Sequence, residues 1–123
     1  MKIIYSKKWA KEINIALLGK HNYRIYGTLN CYISSIYFSI RARCRNLPGD
    51  LYRNYGRKGI QCRITKKEIL NLWMRDKGFF LKRPSIDRID SDWHYTVSNC
   101  RFIELSRNVK RAAKDYWKKK RAA

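Results

Sequence analysis

Three polar residues in the last third of the chain could do chemistry together. Asp87, Asn99 and Asn108 follow one another at intervals of 12 and 9 residues. A hard divalent ion such as Mg²⁺ takes a few carboxylate or amide oxygens together with water and phosphate oxygens. Cations surround the same stretch, namely Arg88, Arg101, Arg107 and Lys110. This combination suits cleavage of a phosphate backbone better than catalysis on a small molecule.

Two short strands are predicted to hold the first two of these residues. Residues 85–90 and 98–103 are β-capable runs on either side of a polar turn, a pattern typical of two antiparallel strands. Asp87 is then expected on the first strand, and Asn99 is expected to begin the second.

A terminal helix is predicted to hold the third residue. The helix is expected to start near Ser106, with Asn108 in its first turn, so that the three polar side chains can converge on one point. Its predicted inward face comprises Val109, Ala112, Ala113, Tyr116 and Trp117. Its predicted outward face comprises Arg107, Lys110, Arg111 and Lys114.

Further helices are predicted ahead of this unit. Apolar residues recur at helical spacing over 6–18 and 28–44. The sequence 65–68 is a capping box that opens another helix, which Gly78 is expected to end, and a short strand is expected at 60–64. These elements predict a single α+β domain.

The composition calls for a polyanionic partner. The chain has 29 Lys and Arg against 9 Asp and Glu in 123 residues, a formal net charge of +20. Dense negative charge in a cell is found on nucleic acid and on anionic membranes. The longest apolar stretch near the N-terminus, 13–18, is far shorter than the about 20 residues of a transmembrane helix, and it does not make a secretory signal. A membrane partner is therefore not expected, whereas a cytoplasmic location is expected.

The four cysteines do not form a readable metal motif. They lie 13, 18 and 38 residues apart without a C-x-x-C pair, so a structural zinc ion is not expected. Each cysteine is interpreted as a small buried hydrophobe, and disulfides are not expected in a reducing cytoplasm. A three-cysteine cluster completed by His94 or His21 stays open as the alternative.

The segment 52–60 has two interpretations. It combines two aromatics, three cations and two glycines within nine positions, which fits a solvated basic turn. Alternatively, its glycines let backbone N–H groups approach a phosphate that Arg57 and Lys58 neutralise, while Tyr52 or Tyr55 offers a ring or a hydroxyl.

Taken together, these motifs resemble the ββα-metal, or HNH, nuclease family. The similarity is to the variant in which Arg replaces the usual His after the metal-binding Asp. Upstream, 43–44 and 55–60 look like the preceding part of small phage-borne HNH proteins, so the resemblance covers roughly 41–112. The residues that carry the motif itself are 86–90, Tyr95, 99–102 and Asn108.

The resemblance implies an endonuclease that uses Mg²⁺ or Mn²⁺ to hydrolyse double-stranded DNA. Asp87 and Asn108 would ligate the metal, and Asn99 would brace the loop between the strands. Arg88 stands at the general-base position, but a guanidinium with a pKa above about 12 cannot accept a proton. Its expected role is to stabilise charge on the scissile phosphate.

Several assignments stay open at this point. The general base could be His94, Tyr55, Tyr52 or His21, in that order. Residues 46–123 are expected to form the nuclease core, and residues 1–45 either a DNA-gripping arm or a homodimer surface. The rival functions are a non-catalytic nucleic-acid-binding module with the same fold and an RNA-binding protein. DNA contacts are expected from Arg57, Lys58, Arg101, Arg107, Lys110 and Arg111.

Overall fold

A computed structural model gives the fold and describes residues 7–45 and 59–122. The predicted α+β class is confirmed, whereas the predicted strand at 60–64 is wrong: that stretch makes one isolated bridge, from Cys62 to Tyr95. In chain order, the elements are α1 (Lys7–Leu18), α2 (Lys20–Tyr26), α3 (Leu29–Cys44), α4 (Lys66–Arg75), a 3₁₀ turn (Gly78–Phe80), β1 (Pro84–Arg88), β2 (Cys100–Glu104) and α5 (Leu105–Ala122).

The N-terminal helices are separated by backbone turns. Gly19 has a φ of 83° between α1 and α2, a conformation that favours glycine. Helix α2 was not predicted, since seven residues are too few for helical periodicity to stand out. The Thr28 hydroxyl then accepts a hydrogen bond from the Cys31 N–H at 3.2 Å and caps α3. The helices predicted over 6–18 and 28–44 are confirmed within the described residues.

Helix α4 begins as predicted and ends differently. The Thr65 hydroxyl accepts from the Glu68 N–H, and the Glu68 carboxylate accepts from the Thr65 N–H, which confirms the capping box. The helix ends at Arg75, before Gly78. Gly78 is required for packing instead, because a Cβ there would lie 2.2 Å from a ring carbon of Trp73.

The hydrophobic core is centred on Trp73 of α4, which is fully buried. Its ring centroid lies 4.9 Å from that of Tyr32 and 5.1 Å from that of Phe102. The Trp73 indole N–H donates to the Leu17 carbonyl at 2.8 Å. The N-terminal helices and the hairpin therefore share one core. The predicted domain boundary between residues 45 and 46 lies at the start of residues 46–58, which are outside the described residues.

The strands and the last helix form a continuous hairpin–helix unit. Strands β1 and β2 pair antiparallel, with Asp87 opposite Arg101, and α5 follows β2 directly. The predicted inward face of α5 is wrong, since none of its residues is buried. The helix contacts β1 through polar side chains such as Asn108 and Arg111, and its aromatic residues Tyr116 and Trp117 remain exposed.

Candidate functional site

A cleft of about 410 Å³ lies between β1 and α5. Asp87 and Arg88 line it from β1, Asn108 lines it from α5, and Arg43 reaches it from the last turn of α3. Two of the three residues predicted to converge therefore share this cleft. The third, Asn99, does not line it.

Asp87 is a buried carboxylate held by two guanidinium groups. Its Oδ2 accepts from Arg101 Nε at 3.0 Å and from Arg111 Nη1 at 2.6 Å. Arg111 also donates to the carbonyls of Arg88 and Ile89, which ties α5 to the end of β1. The prediction that Arg111 points outward is wrong, because the neighbouring carboxylate and two carbonyls draw the guanidinium inward. Arg101, also predicted to contact DNA, is likewise turned to Asp87.

The oxygen atoms in the cleft fit a hard divalent ion. Asn108 Nδ2 donates to Ser85 Oγ at 2.9 Å, which orients the amide. Among residues 7–45 and 59–122, neither Asp87 Oδ1 nor Asn108 Oδ1 accepts a hydrogen bond. One carboxylate and one amide oxygen at a shared cleft are the donors that Mg²⁺ takes when water and phosphate complete its shell.

The same described ranges contain no group of three or more His, Cys, Asp or Glu side chains placed to hold a metal. An ion in the cleft would therefore depend on water and substrate oxygens beyond Asp87 and Asn108. Sequence reasoning missed Ser85, although the signal was present: two residues before Asp87, it lies on the same face of β1.

Asn99 braces the loop between the strands, the position that the resemblance implies for it. Its side chain is buried and makes three hydrogen bonds. Its amide donates to the carbonyls of Asp90 and His94 at 3.0 and 2.9 Å, and its Oδ1 accepts from the Asp90 N–H at 2.8 Å. The residue thus fixes the loop that follows Asp87 and Arg88.

Arg88 is anchored where it lines the cleft. Its Nη1 donates to the Trp93 carbonyl at 2.8 Å, and its guanidinium carbon lies 4.9 Å from the centroid of the Tyr95 ring. A cation held over an aromatic face and bonded to a carbonyl keeps a defined orientation. This geometry suits contact with a phosphate oxygen.

His94 is poorly placed for the role of general base. Its Nδ1 accepts from the Gln61 N–H at 2.9 Å, so the neutral ring carries its proton on Nε2 and has no lone pair to spare. Partial burial lowers the pKa of His94, and the cations of Arg63 and Arg88 lower it further. His94 also does not line the cleft.

The other predicted residues divide into two groups. Exposed residues are His21 on α2, which does not line the cleft, and Arg107 and Lys110 on α5, which remain predicted DNA contacts. Outside the described residues lie Tyr52, Tyr55, Arg57 and Lys58.

Asp115 is a cleft residue that sequence reasoning missed. Its Oδ2 lies 3.9 Å from Arg111 Nε, one helical turn away. Asn108, Arg111 and Asp115 have the spacing i, i+3 and i+7, which places them on one face of α5. That spacing was the available signal, and Asp115 adds a second carboxylate near Arg111.

The cysteines differ from one another in their surroundings. Burial raises the pKa of Cys44 to about 11 and that of Cys100 to about 12, which keeps both as neutral thiols. This agrees with the interpretation of buried hydrophobes for Cys100. The interpretation is wrong for Cys31, which is exposed on α3.

No protein family, curated protein or solved structure matches this chain. Within the described residues, none of the helices has both the length and the apolar character needed to cross a membrane.

Proposed function

We propose that the protein is a metal-dependent endonuclease of the ββα-metal type, acting on DNA in the cleft between β1 and α5. The observation that carries this proposal is the meeting of Asp87 and Asn108 at one cleft, each with an oxygen that accepts no hydrogen bond among the described residues. Asp87 lies on the first strand and Asn108 on the helix of a strand–strand–helix unit, which is the order that the HNH resemblance implies.

Charge supports a phosphate substrate. Arg43 and Arg88 line the same cleft as Asp87, and the whole chain carries a formal charge of +20. A guanidinium beside a phosphodiester offsets the negative charge that increases as water attacks phosphorus. Arg88, held by Trp93 and Tyr95, is preorganised for this role.

Asp87 and Asn108 would hold Mg²⁺ or Mn²⁺ through their Oδ1 atoms. When bound, such an ion supplies Lewis-acid stabilisation of charge on the phosphate and on the departing oxygen. Ser85 keeps the Asn108 amide oriented, while Arg101 and Arg111 occupy the other oxygen of the Asp87 carboxylate. His94 is not proposed as the general base, since its Nδ1 lone pair already accepts from the Gln61 N–H.

Nicking of supercoiled plasmid with Mg²⁺ tests the proposal. Asp87→Asn preserves shape and removes the charge, and Asn108→Ala removes the amide oxygen. We expect each to lower the nicking rate by about a hundredfold or more, since even a residue that only supports a metal ligand costs about 10- to 100-fold. Ser85→Ala, which acts through Asn108, is expected to cost about tenfold.

Matched controls separate chemistry from folding. Asp92→Asn and Asn30→Ala make the same kinds of change at exposed positions, and we expect wild-type rates from both. Thermal melts establish that each variant is folded. Equal nicking by wild type, Asp87→Asn and Asn108→Ala would mean that the activity belongs to a contaminant, and the proposal would be withdrawn.

The second candidate is a non-catalytic nucleic-acid-binding module. One observation favours it: among the described residues, both hydrogen bonds to the Asp87 carboxylate come from guanidinium groups, which compete with a cation for it. This module would bind DNA with a strong salt dependence, about −0.9 in the slope of log K against log salt for each phosphate neutralised, and would not nick. Binding without metal-dependent nicking would select it.

A further inference from the structure

A second cavity, of about 250 Å³, lies between helices α2 and α3 and the start of β1. We call it the polar cavity. It adjoins the cleft, because Arg43, Ser85 and Ile86 line both. The other polar side chains that line it, among those the structure describes, are Asn22, Tyr26, Tyr32, Ser35 and Ser39.

The lining of the polar cavity is rich in hydrogen-bonding groups and poor in charge. Hydroxyls both donate and accept, and an amide offers both functions as well. Among the described residues that line the cavity, only Arg43 is charged, and it also lines the cleft. Phosphate binding would call for several cations, so this lining suits a neutral ligand that carries both donors and acceptors.

Two aromatic rings add flat apolar surface to the polar cavity. The centroids of Tyr26 and Tyr32 lie 5.1 Å apart, with the rings inclined at 60°. Burial raises the pKa of the Tyr32 hydroxyl, which forms a side-chain hydrogen bond with Asn22. A ring face beside neutral donors and acceptors is how proteins bind unstacked nucleobases.

We infer that the polar cavity receives one unpaired nucleobase of the strand whose phosphate lies in the cleft. This inference rests on the proposed function and deepens it. Arg43 lines both spaces and would contact the phosphate that joins the inserted nucleoside to the strand. The volume is below the roughly 300–1,000 Å³ of sites for drug-sized ligands, which limits the occupant to a group of about one base.

Base insertion makes a prediction about substrate preference. Taking a base out of a duplex costs a few kcal/mol, and the cost is least where the base is already unpaired. The protein is therefore expected to favour DNA with a bulged or mismatched base over a perfect duplex.

Photochemical crosslinking tests the inference without any need for cleavage. The probe is a DNA duplex with one unpaired 5-iodouracil, and the control probe has the same base paired. Both are irradiated with the full chain in buffer containing EDTA, and the crosslinked residues are identified by mass spectrometry. We expect the unpaired probe to crosslink to Tyr26 or Tyr32, and the paired probe to do so at least tenfold less.

Two blocking variants should remove this crosslink. Ser35→Leu fills the polar cavity, and Ser39→Leu does so from an exposed position one turn along α3. Each is expected to lower the yield at the two tyrosines about tenfold. Asn30→Leu adds the same side chain to an exposed position on α3 that does not line the cavity, and should match wild type.

The outcomes separate this inference from the proposed function. Crosslinks only to residues outside the cavity, or full yields from folded Ser35→Leu and Ser39→Leu, would overturn the inference. Nicking that depends on Asp87 would stand in either case. Conversely, crosslinks at the tyrosines without any metal-dependent nicking would support base binding in the cavity of a non-catalytic module. The endonuclease proposal would then be rejected.

Discussion

The core around Trp73 and the cleft around Asp87 are held together by different forces. Trp73 is surrounded by rings and aliphatic side chains, and apart from its hydrogen bond to the Leu17 carbonyl it is stabilised by burial and dispersion, which have no strict direction. Asp87, also buried, is held by two guanidinium groups that donate to one of its oxygens at 3.0 and 2.6 Å. The core is therefore expected to contribute more to stability than the cleft, where directed contacts fix the orientation of the side chains.

The largest effect on stability is expected in the core. Trp73→Ala removes the ring that contacts Tyr32 and Phe102, and should lower the free energy of unfolding by about 3–5 kcal/mol. Urea denaturation measures it. Trp117→Ala makes the same change at a side chain that is 59% exposed, and should stay within about 0.5 kcal/mol of wild type. Similar losses from both variants would contradict the assignment of the core.

A smaller loss is expected at the loop brace. Asn99→Ala removes three hydrogen bonds from a buried side chain, so the free energy of unfolding should fall by about 2–3 kcal/mol. Asn71→Ala, at an exposed position on α4, is the control for urea denaturation and should be near neutral. If Asn99→Ala were also neutral, the loop would not need its brace.

Removing Arg111 from Asp87 is expected to change stability and metal affinity in opposite directions. Arg111→Ala should lower stability by about 1–2 kcal/mol, less than for a fully buried pair because Arg111 is 26% exposed. It should also tighten Mg²⁺ binding, measured by calorimetry, since it removes a competing cation from the carboxylate. Arg107→Ala, exposed on the same helix, should change neither value. Weaker metal binding by Arg111→Ala would instead show that Arg111 positions Asp87 for the ion.

The smallest effect concerns pH. Folding lowers the pKa of His94 from its ordinary value of about 6.5. As the pH falls through that value, the unfolded chain therefore binds more protons than the folded protein. This contribution to stability is present above pH 6.5 and is lost as the pH falls. His94→Asn keeps an acceptor near the Gln61 N–H and does not titrate, so its stability relative to wild type should improve on acidification. His21→Asn is the matched control, and urea denaturation on both sides of pH 6.5 measures each. If the difference in the free energy of unfolding between His94→Asn and wild type were the same on both sides of pH 6.5, the lowered pKa of His94 would be contradicted.

Local sequence patterns predicted the helices and strands better than they predicted what packs against them. The capping box at Thr65 and the periodicity of α3 predicted two helices, because caps and amphipathic faces are written in neighbouring residues. The same periodicity was wrong about the inward face of α5. An apolar stripe identifies a helix, but it does not determine what covers the stripe.

The candidate site was predictable in part for the same reason. Asp87 and Asn108 were correctly placed on a strand and in a first helical turn, since both positions follow from element boundaries. The expected outward direction of Arg111 was wrong, and the engagement of the His94 lone pair was not foreseen. Both depend on partners that the local sequence does not specify.

By itself, the sequence determined the charge, the order of the last three elements, and the spacing of Asp87, Asn99 and Asn108. Only the tertiary structure decided which partners these groups take: Ser85 for Asn108, Arg111 for Asp87, and Gln61 for His94. These pairs are 23, 24 and 33 residues apart in the chain. The physical reason is that a hydrogen bond between distant residues depends on how whole elements pack, and residue spacing along one element carries no information about that packing.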